Sequence, residues 1–217
     1  MTKLTVEALL KEAAIFAKNQ SKLEDKTLYG ITDGKAVGTA IEHRFREHLL
    51  EKYDFTPGNS ANGIDFPVLK VDIKVTSIKQ PQSSCPFKSA RQKIYGLGYS
   101  LLVFVYDKID DPKNKTTKLN FLHTVYVEEE YTGDFQTTKG ILKILENEAN
   151  QDDITAFMQE RNLPIDDIQA TQLAEEILKN PPKQGYLTIS NALQWRLQYG
   201  RVIQVADKVK GVIKILK

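Results

Sequence analysis

Apolar positions recur at helical spacing at the start of the chain. Val6, Leu9, Leu10, Ala13, Phe16 and Ala17 predict an amphipathic helix over 5–19. A polar stretch from Ser21 to Lys35 with Gly30 and Gly34 predicts a loop. A second helix is expected over about 35–53. It carries Val37, Ile41, Phe45 and Leu49 on one stripe and Glu42, Arg46, Glu47 and Glu51 opposite. Pro57, Gly58, Asn59, Ser60, Asn62 and Gly63 then form a dense turn signal.

The period changes from helical to alternating after the turn. Ile64 to Phe66 predicts a short strand and Pro67 a turn. From Leu69 to Ile78 the chain alternates. Leu69, Val71, Ile73 and Val75 point one way, while Lys70, Asp72, Lys74 and Thr76 point the other. Gln80 to Phe87 reads as a polar loop and Lys88 to Tyr95 as a short helix stopped by Gly96 and Gly98. Ser100 to Tyr106 is a continuous apolar run, the pattern of a strand buried on both faces. A loop at Asp110 to Thr117 and a strand at Leu119 to Val127 follow. Helices are expected over 137–149, 152–161 and 165–179, and Pro181 and Pro182 end them. Gly185 to Ser190 predicts a short strand, Asn191 to Val209 a long helix and Val212 to Leu216 a closing strand. The fold class is α/β with a mainly helical C-terminal extension. Residues 1–130 and 131–217 are the expected divisions, packed as one globular unit.

Composition excludes several classes. The chain has 217 residues and 41% are hydrophobic, enough for a substantial core. Cys85 is the single cysteine, so neither a disulfide scaffold nor a Cys-rich zinc cluster is available. Histidines at 43, 48 and 123 are too scattered to suggest a metal centre. The apolar run Leu101 to Tyr106 is too short to span a bilayer. Glu7 and Glu12 within the first amphipathic stretch argue against a signal peptide, so a reducing cytoplasm is expected.

The formal net charge of +2 hides segregation along the chain. Residues 1–65 carry a net −1, residues 66–106 a net +5, residues 107–183 a net −7 and residues 184–217 a net +5. Basic segments alternating with acidic ones fit a localised polyanion-binding face, or charge that only solubilises helices.

The chemistry-bearing stretch is Gly63 to Ser77, GIDFPVLKVDIKVTS. Asp72 and Lys74 share the polar face of a strand. A tight strand–turn–strand brings Asp65 beside Asp72, and two adjacent carboxylates repel unless a cation lies between them. Hard carboxylate oxygens suit Mg²⁺, which needs only one or two of them plus waters and phosphate. An acid two residues before a lysine also occurs at Glu24/Lys26, Asp33/Lys35 and Asp111/Lys113, all in loop-like sequence. Only Asp72/Lys74 lies on an alternating strand after a second acid.

Asp65 … Asp72-Ile73-Lys74, between a preceding helix and a following helix–strand pair, resembles the PD-(D/E)XK nuclease superfamily. Within it, IDFPVLKVDIKVTSIKQPQSSCPF … ARQKIYGLGYSLLVFVYDK resembles a type II restriction endonuclease over about residues 35–127. Ile64 stands where the motif has proline, and Gln92 and Tyr95 have the wrong spacing for the Gln-x-x-x-Tyr motif of recombination-type nucleases. The resemblance implies a mixed central sheet flanked by helices and Mg²⁺-dependent cleavage of double-stranded DNA. It implies metal ligation by Asp65, Asp72 and the Ile73 carbonyl, water activation by Lys74, and a further acid at Glu42.

DNA contacts are expected from donor-rich segments: Asn59, Ser60 and Asn62; Lys79, Gln80, Gln82, Ser83 and Ser84; Lys88, Arg91, Gln92 and Lys93. In the expected C-terminal helix, Arg196 and Arg201 suit DNA contact, while its apolar residues suit core packing or a dimer interface. The expected activity is that of a homodimeric type II restriction endonuclease on a short palindromic site, with a cognate DNA methyltransferase in the same system and no membrane partner. A structure-specific repair or mobile-element nuclease and a non-catalytic DNA-binding protein are the alternatives.

Overall fold

The structure, a computed structural model, describes residues 2–58, 63–85, 89–190 and 195–216. In chain order its elements are β1 (Thr2–Lys3), α1 (Val6–Gln20), β2 (Glu24–Asp25), α2 (Gly34–Leu50), β3 (Tyr53–Asp54), β4 (Val71–Ser77), β5 (Gln82–Cys85) and α3 (Arg91–Tyr95). Then come β6 (Ser100–Asp111), β7 (Thr116–Val127), a 3₁₀ turn (Glu129–Tyr131), α4 (Phe135–Glu146), α5 (Gln151–Glu160) and α6 (Asp167–Lys179). The chain closes with β8 (Thr188–Ile189), β9 (Trp195–Gln198), α7 (Gly200–Val205) and β10 (Val212–Lys214). Contacts divide these into two units.

Residues 1–82, 100–127 and 203–217 form the first unit. Its sheet runs β10-β7-β6-β4, with β2 also paired to β7. β4 and β6 are parallel, from Val71 opposite Ser100 to Ser77 opposite Tyr106. The pairs β6/β7, β7/β10 and β2/β7 are antiparallel, so the sheet is mixed as expected. A parallel neighbour on one side explains the unbroken apolar run at Ser100–Tyr106. Thr5 caps α1 by accepting from the Ala8 amide at 3.2 Å, and Asp33 caps α2 by accepting from the Lys35 amide at 2.9 Å. The stripe Val37, Ile41, Phe45 and Leu49 is fully buried, together with Leu9, Ala13 and Phe16 of α1. Against it lie Ile73, Leu102, Phe104 and Phe121. The Phe104 ring sits 5.2 Å from Phe45, 6.0 Å from Phe16 and 5.9 Å from Phe121. Edge-on aromatic pairs of this kind add to simple area burial. The result is a closely packed α2–β4 layer, and both elements carry expected site residues.

Residues 83–99 and 128–202 form the second unit. Ile94, Ile141, Ile154, Met158, Leu173 and Ile177 share its core. Asn150 and Asp153 close a reciprocal capping box at the start of α5. A small sheet runs β5-β9-β8.

Several local expectations change, among them the stretch read as a loop at Ser21–Lys35, which contains β2. Asp65 does not end a strand; Phe66 and Val71 make a single antiparallel bridge around the turn at Pro67, where Lys70 takes a positive φ of 51°. The stretch read as a loop at Gln80–Phe87 contains β5, and Thr76 Oγ1 ties it down by accepting from the Gln82 amide at 3.1 Å. The long helix at Asn191–Val209 is replaced by β9 and α7, with residues 191–194 outside the described ones. Here Trp195, Leu197 and Tyr199 are buried while Arg196 and Gln198 are exposed. That is period two, and antiparallel pairing to β8 satisfies the backbone. Among the described residues no helix is long and apolar enough to cross a membrane.

Candidate active site

Asp65 arrives at β4 through a close chain crossing. The Gly58 amide donates to the Asp65 carbonyl at 2.8 Å. A Cβ on Gly58 would lie 1.8 Å from the Ile64 carbonyl oxygen, so only glycine fits there. The Asp65 side chain is then fixed from two sides. Its Oδ2 accepts from the Ile73 amide at 2.8 Å, and its Oδ1 pairs with the Arg46 guanidinium. The Asp65 amide faces Asp72 Oδ1 at 3.4 Å. Asp65 and Asp72 are thus interlocked around the strand start.

Asp72 is 3% exposed. Its Oδ2 is buried without a well-aligned hydrogen-bond donor, although Lys74 Nζ lies 2.6 Å away as an ion pair. Burial pushes the Asp72 carboxyl up to about 6, Lys74 opposes that rise, and the Asp65 carboxylate reinforces it. Burial alone would push the Lys74 ammonium down. Asp72, Asp65 and Glu42 together outweigh it and hold Lys74 above its ordinary value.

Glu42 comes from α2, which packs closely on β4; an added Cβ at Gly38 would lie 3.5 Å from the Val75 carbonyl oxygen. Glu42 is half-buried, and burial followed by the Asp65 charge pushes its carboxyl up to about 7. Lys74 and Arg46 pull the other way, so all five side chains share one electrostatic neighbourhood.

Among the described residues no group of three or more His, Cys, Asp or Glu is arranged to hold a metal ion. The set at hand is two hard carboxylates, one with an under-served buried oxygen. That fits Mg²⁺, which keeps most of its waters and takes one or two carboxylates from the protein.

Comparison with known proteins decides the family. The family described as Type II restriction enzyme NspV matches residues 3–214. The chain belongs to this family of type II restriction enzymes. It is 64% identical over 217 residues to the Type II restriction enzyme NspV of Nostoc sp. (strain ATCC 29411 / PCC 7524), covering 100% of this chain and 99% of that relative. No solved structure matches the chain. The expectation of an enzyme, a type II site-specific deoxyribonuclease, therefore holds.

The expected DNA-contacting residues have varied surroundings. Lys79, Gln80, Ser84 and Arg196 are exposed, and Gln82 is half-buried. Ser83 shares a short hydrogen bond with the Tyr199 hydroxyl. Arg91 is exposed, paired with Glu176 at 2.6 Å and stacked over Tyr95. Gln92 and Lys93 are buried, 8% and 4% exposed. Arg201 lies 3.6 Å over the Phe135 ring. Asn59, Ser60, Asn62 and Lys88 lie outside the described residues. The residue that sequence reasoning missed is Arg46. The four-residue spacing from Glu42 puts both on one helix face, but nothing in that spacing points to Asp65 as its partner.

Proposed function

We propose that the enzyme hydrolyses phosphodiester bonds of double-stranded DNA in a Mg²⁺-dependent reaction, as a cytoplasmic homodimer acting on a short palindromic site. The observation that carries this reading is the interlocked pair Asp65/Asp72 with Lys74 on one carboxylate and Glu42 close by. Asp65, Asp72 and the Ile73 carbonyl would hold the cation. When bound, Mg²⁺ polarises the phosphate and makes water a better nucleophile.

The chain's own residues do the rest. Lys74 Nζ, kept protonated by its carboxylate neighbours, donates to the attacking water and to a phosphate oxygen, which orients the one and offsets the charge of the other. Asp65 keeps its direction through the Ile73 amide, so the oxygens of the pair are set before substrate arrives. Glu42 adds a third acid whose proton leaves readily near neutral pH. Lys74 and Arg46 supply positive charge beside this acidic pair.

The residues expected to touch DNA are Asn59, Ser60, Asn62, Lys79, Gln80, Gln82, Ser83, Ser84, Lys88, Arg91, Gln92, Lys93, Arg196 and Arg201, with region 131–217 serving DNA contact or dimerisation. Two-fold DNA symmetry is read by a two-fold protein. A cognate DNA methyltransferase would protect the host's own sites.

Digestion of a fully sequenced plasmid tests the reading. Wild type with Mg²⁺ should give discrete fragments, and Asp72→Ala should abolish cutting while retaining fragment binding. Absence of wild-type cleavage across varied sequences and divalent metals would overturn it.

A further inference from the structure

We infer that Arg46 is a counter-ion that leaves Asp65 when a divalent cation binds and then holds the DNA phosphate at the cleavage site. This inference rests on the proposed role of Asp65 and Asp72.

Each carboxylate of the pair has its own basic side chain against it. Asp72 has Lys74, two residues along the same strand, and Asp65 has Arg46 from α2. A divalent cation on the pair supplies the charge that these two groups now supply. Arg46 is then no longer needed at Asp65, and holding a guanidinium against a cation is unfavourable.

Arg46 is poorly used where it stands. A guanidinium presents five N–H donors in a planar fork. Arg46 gives Asp65 a contact through Nη2 alone, and its Nε is buried with no hydrogen-bond partner among the described residues. An arginine with a purely structural task normally satisfies both edges of its fork. The free donors match a second oxyanion, and phosphate is the planar-fork ligand that this enzyme's substrate offers. The side chain is 26% exposed, so it is neither sealed in nor loose.

Asp65 does not need Arg46 for its orientation. The Ile73 amide already fixes Oδ2 at 2.8 Å, and the main chain is pinned by the Gly58 amide. Loss of Arg46 therefore frees Oδ1 without releasing the carboxylate. A structural arginine and a competing counter-ion thus predict opposite changes in metal affinity.

The experiment titrates Mn²⁺ alone into the DNA-free wild type, Arg46→Gln, Arg46→Lys and Asp65→Asn by calorimetry. It then measures binding to a plasmid restriction fragment in Ca²⁺ over a salt series. Arg46→Gln should bind Mn²⁺ about three- to tenfold more tightly, the scale of a lost competing ion pair. It should also bind DNA more weakly, with a salt slope reduced by about one, the signature of one lost phosphate contact. Arg46→Lys, which keeps the charge, should leave Mn²⁺ affinity and salt slope close to wild type. Unchanged or weaker Mn²⁺ binding by Arg46→Gln would show that Arg46 only positions Asp65, and an unchanged salt slope would remove the phosphate contact. If Asp65→Asn fails to weaken Mn²⁺ binding, the metal-ligand reading itself falls, and this inference with it.

Discussion

Two buried aspartates, one in each unit, have opposite surroundings. Asp134 is 5% exposed and both its oxygens are served. Oδ1 accepts from the Thr137 amide at 3.0 Å and the Thr137 hydroxyl at 2.8 Å, capping α4, and Oδ2 accepts from the Ile189 amide at 2.9 Å. Asp72 is 3% exposed, has one long contact to the Asp65 amide, and relies on Lys74 for the rest. The lysines that answer them differ as well. Lys93, in the electrostatic reach of Asp134 and 5.7 Å from the Trp195 ring, is pushed down by burial. Lys74 is held up because three carboxylates outweigh its burial. A satisfied buried acid is part of the scaffold. An under-served one, kept beside a second acid, has the surroundings that the proposed cation site requires.

The largest effect expected from this contrast is on activity. Lys74→Met should lower the single-turnover cleavage rate by about 10²–10⁴-fold, the range for a group that orients and charges a reacting water. Lys93→Met should leave the single-turnover rate at saturating enzyme within about threefold, since a residue proposed only to touch DNA acts on binding rather than on the reacting water, and Met fills a similar volume. Equal losses in the two variants would erase the distinction.

Stability should rank the aspartates the other way round. Asp134→Asn should cost about 1–2 kcal/mol in urea unfolding, from a weakened cap and a disturbed buried acceptor. Asp72→Asn should change the stability of the metal-free protein by less than about 1 kcal/mol, because the burial cost it relieves offsets the Lys74 ion pair it removes, and Asp65 and Glu42 remain as charges beside that lysine. A large loss from Asp72→Asn would mean that Asp72 is structural after all.

A smaller effect concerns pH. Glu42 has its folded value raised to about 7 from an ordinary 4.5. A raised acid keeps its proton in the folded state after the unfolded chain has lost it. Its contribution is neutral below about pH 4.5, becomes steadily destabilising up to about 7, and is constant above. In metal-free protein, wild type should therefore lose about 2 kcal/mol relative to Glu42→Gln across that window, a figure already discounted for its partial exposure. Parallel stability curves for the two proteins would contradict the placement of Glu42 among the acids.

Much of this arrangement is legible in sequence because it depends on local periodicity. The alternation around Asp72 and Lys74 gives their shared face, and the apolar run after them gives the neighbouring strand. Glu42 and the stripe Val37, Ile41, Phe45 and Leu49 follow from helical spacing. Arg46 is not legible, because its partner lies 19 residues away and a charged helix face reads as solvated. β5 is hidden because a polar stretch with little strand propensity is held by Thr76 and by β9. β9 is hidden because Trp195, Leu197 and Tyr199 fit either period until a pairing strand is known. Charge counting likewise sees the lysine at 93 without seeing that it is buried.

The most direct test is single-turnover cleavage of a plasmid by Asp72→Asn and Asp134→Asn beside wild type, in Mg²⁺, with each protein shown to be folded. Asp72→Asn should lose at least about 10³-fold, the scale of a lost metal-supporting group, while Asp134→Asn cleaves within about threefold of wild type. Cleavage by Asp72→Asn close to the wild-type rate would contradict the assignment of Asp65, Asp72 and Lys74 as the cutting centre.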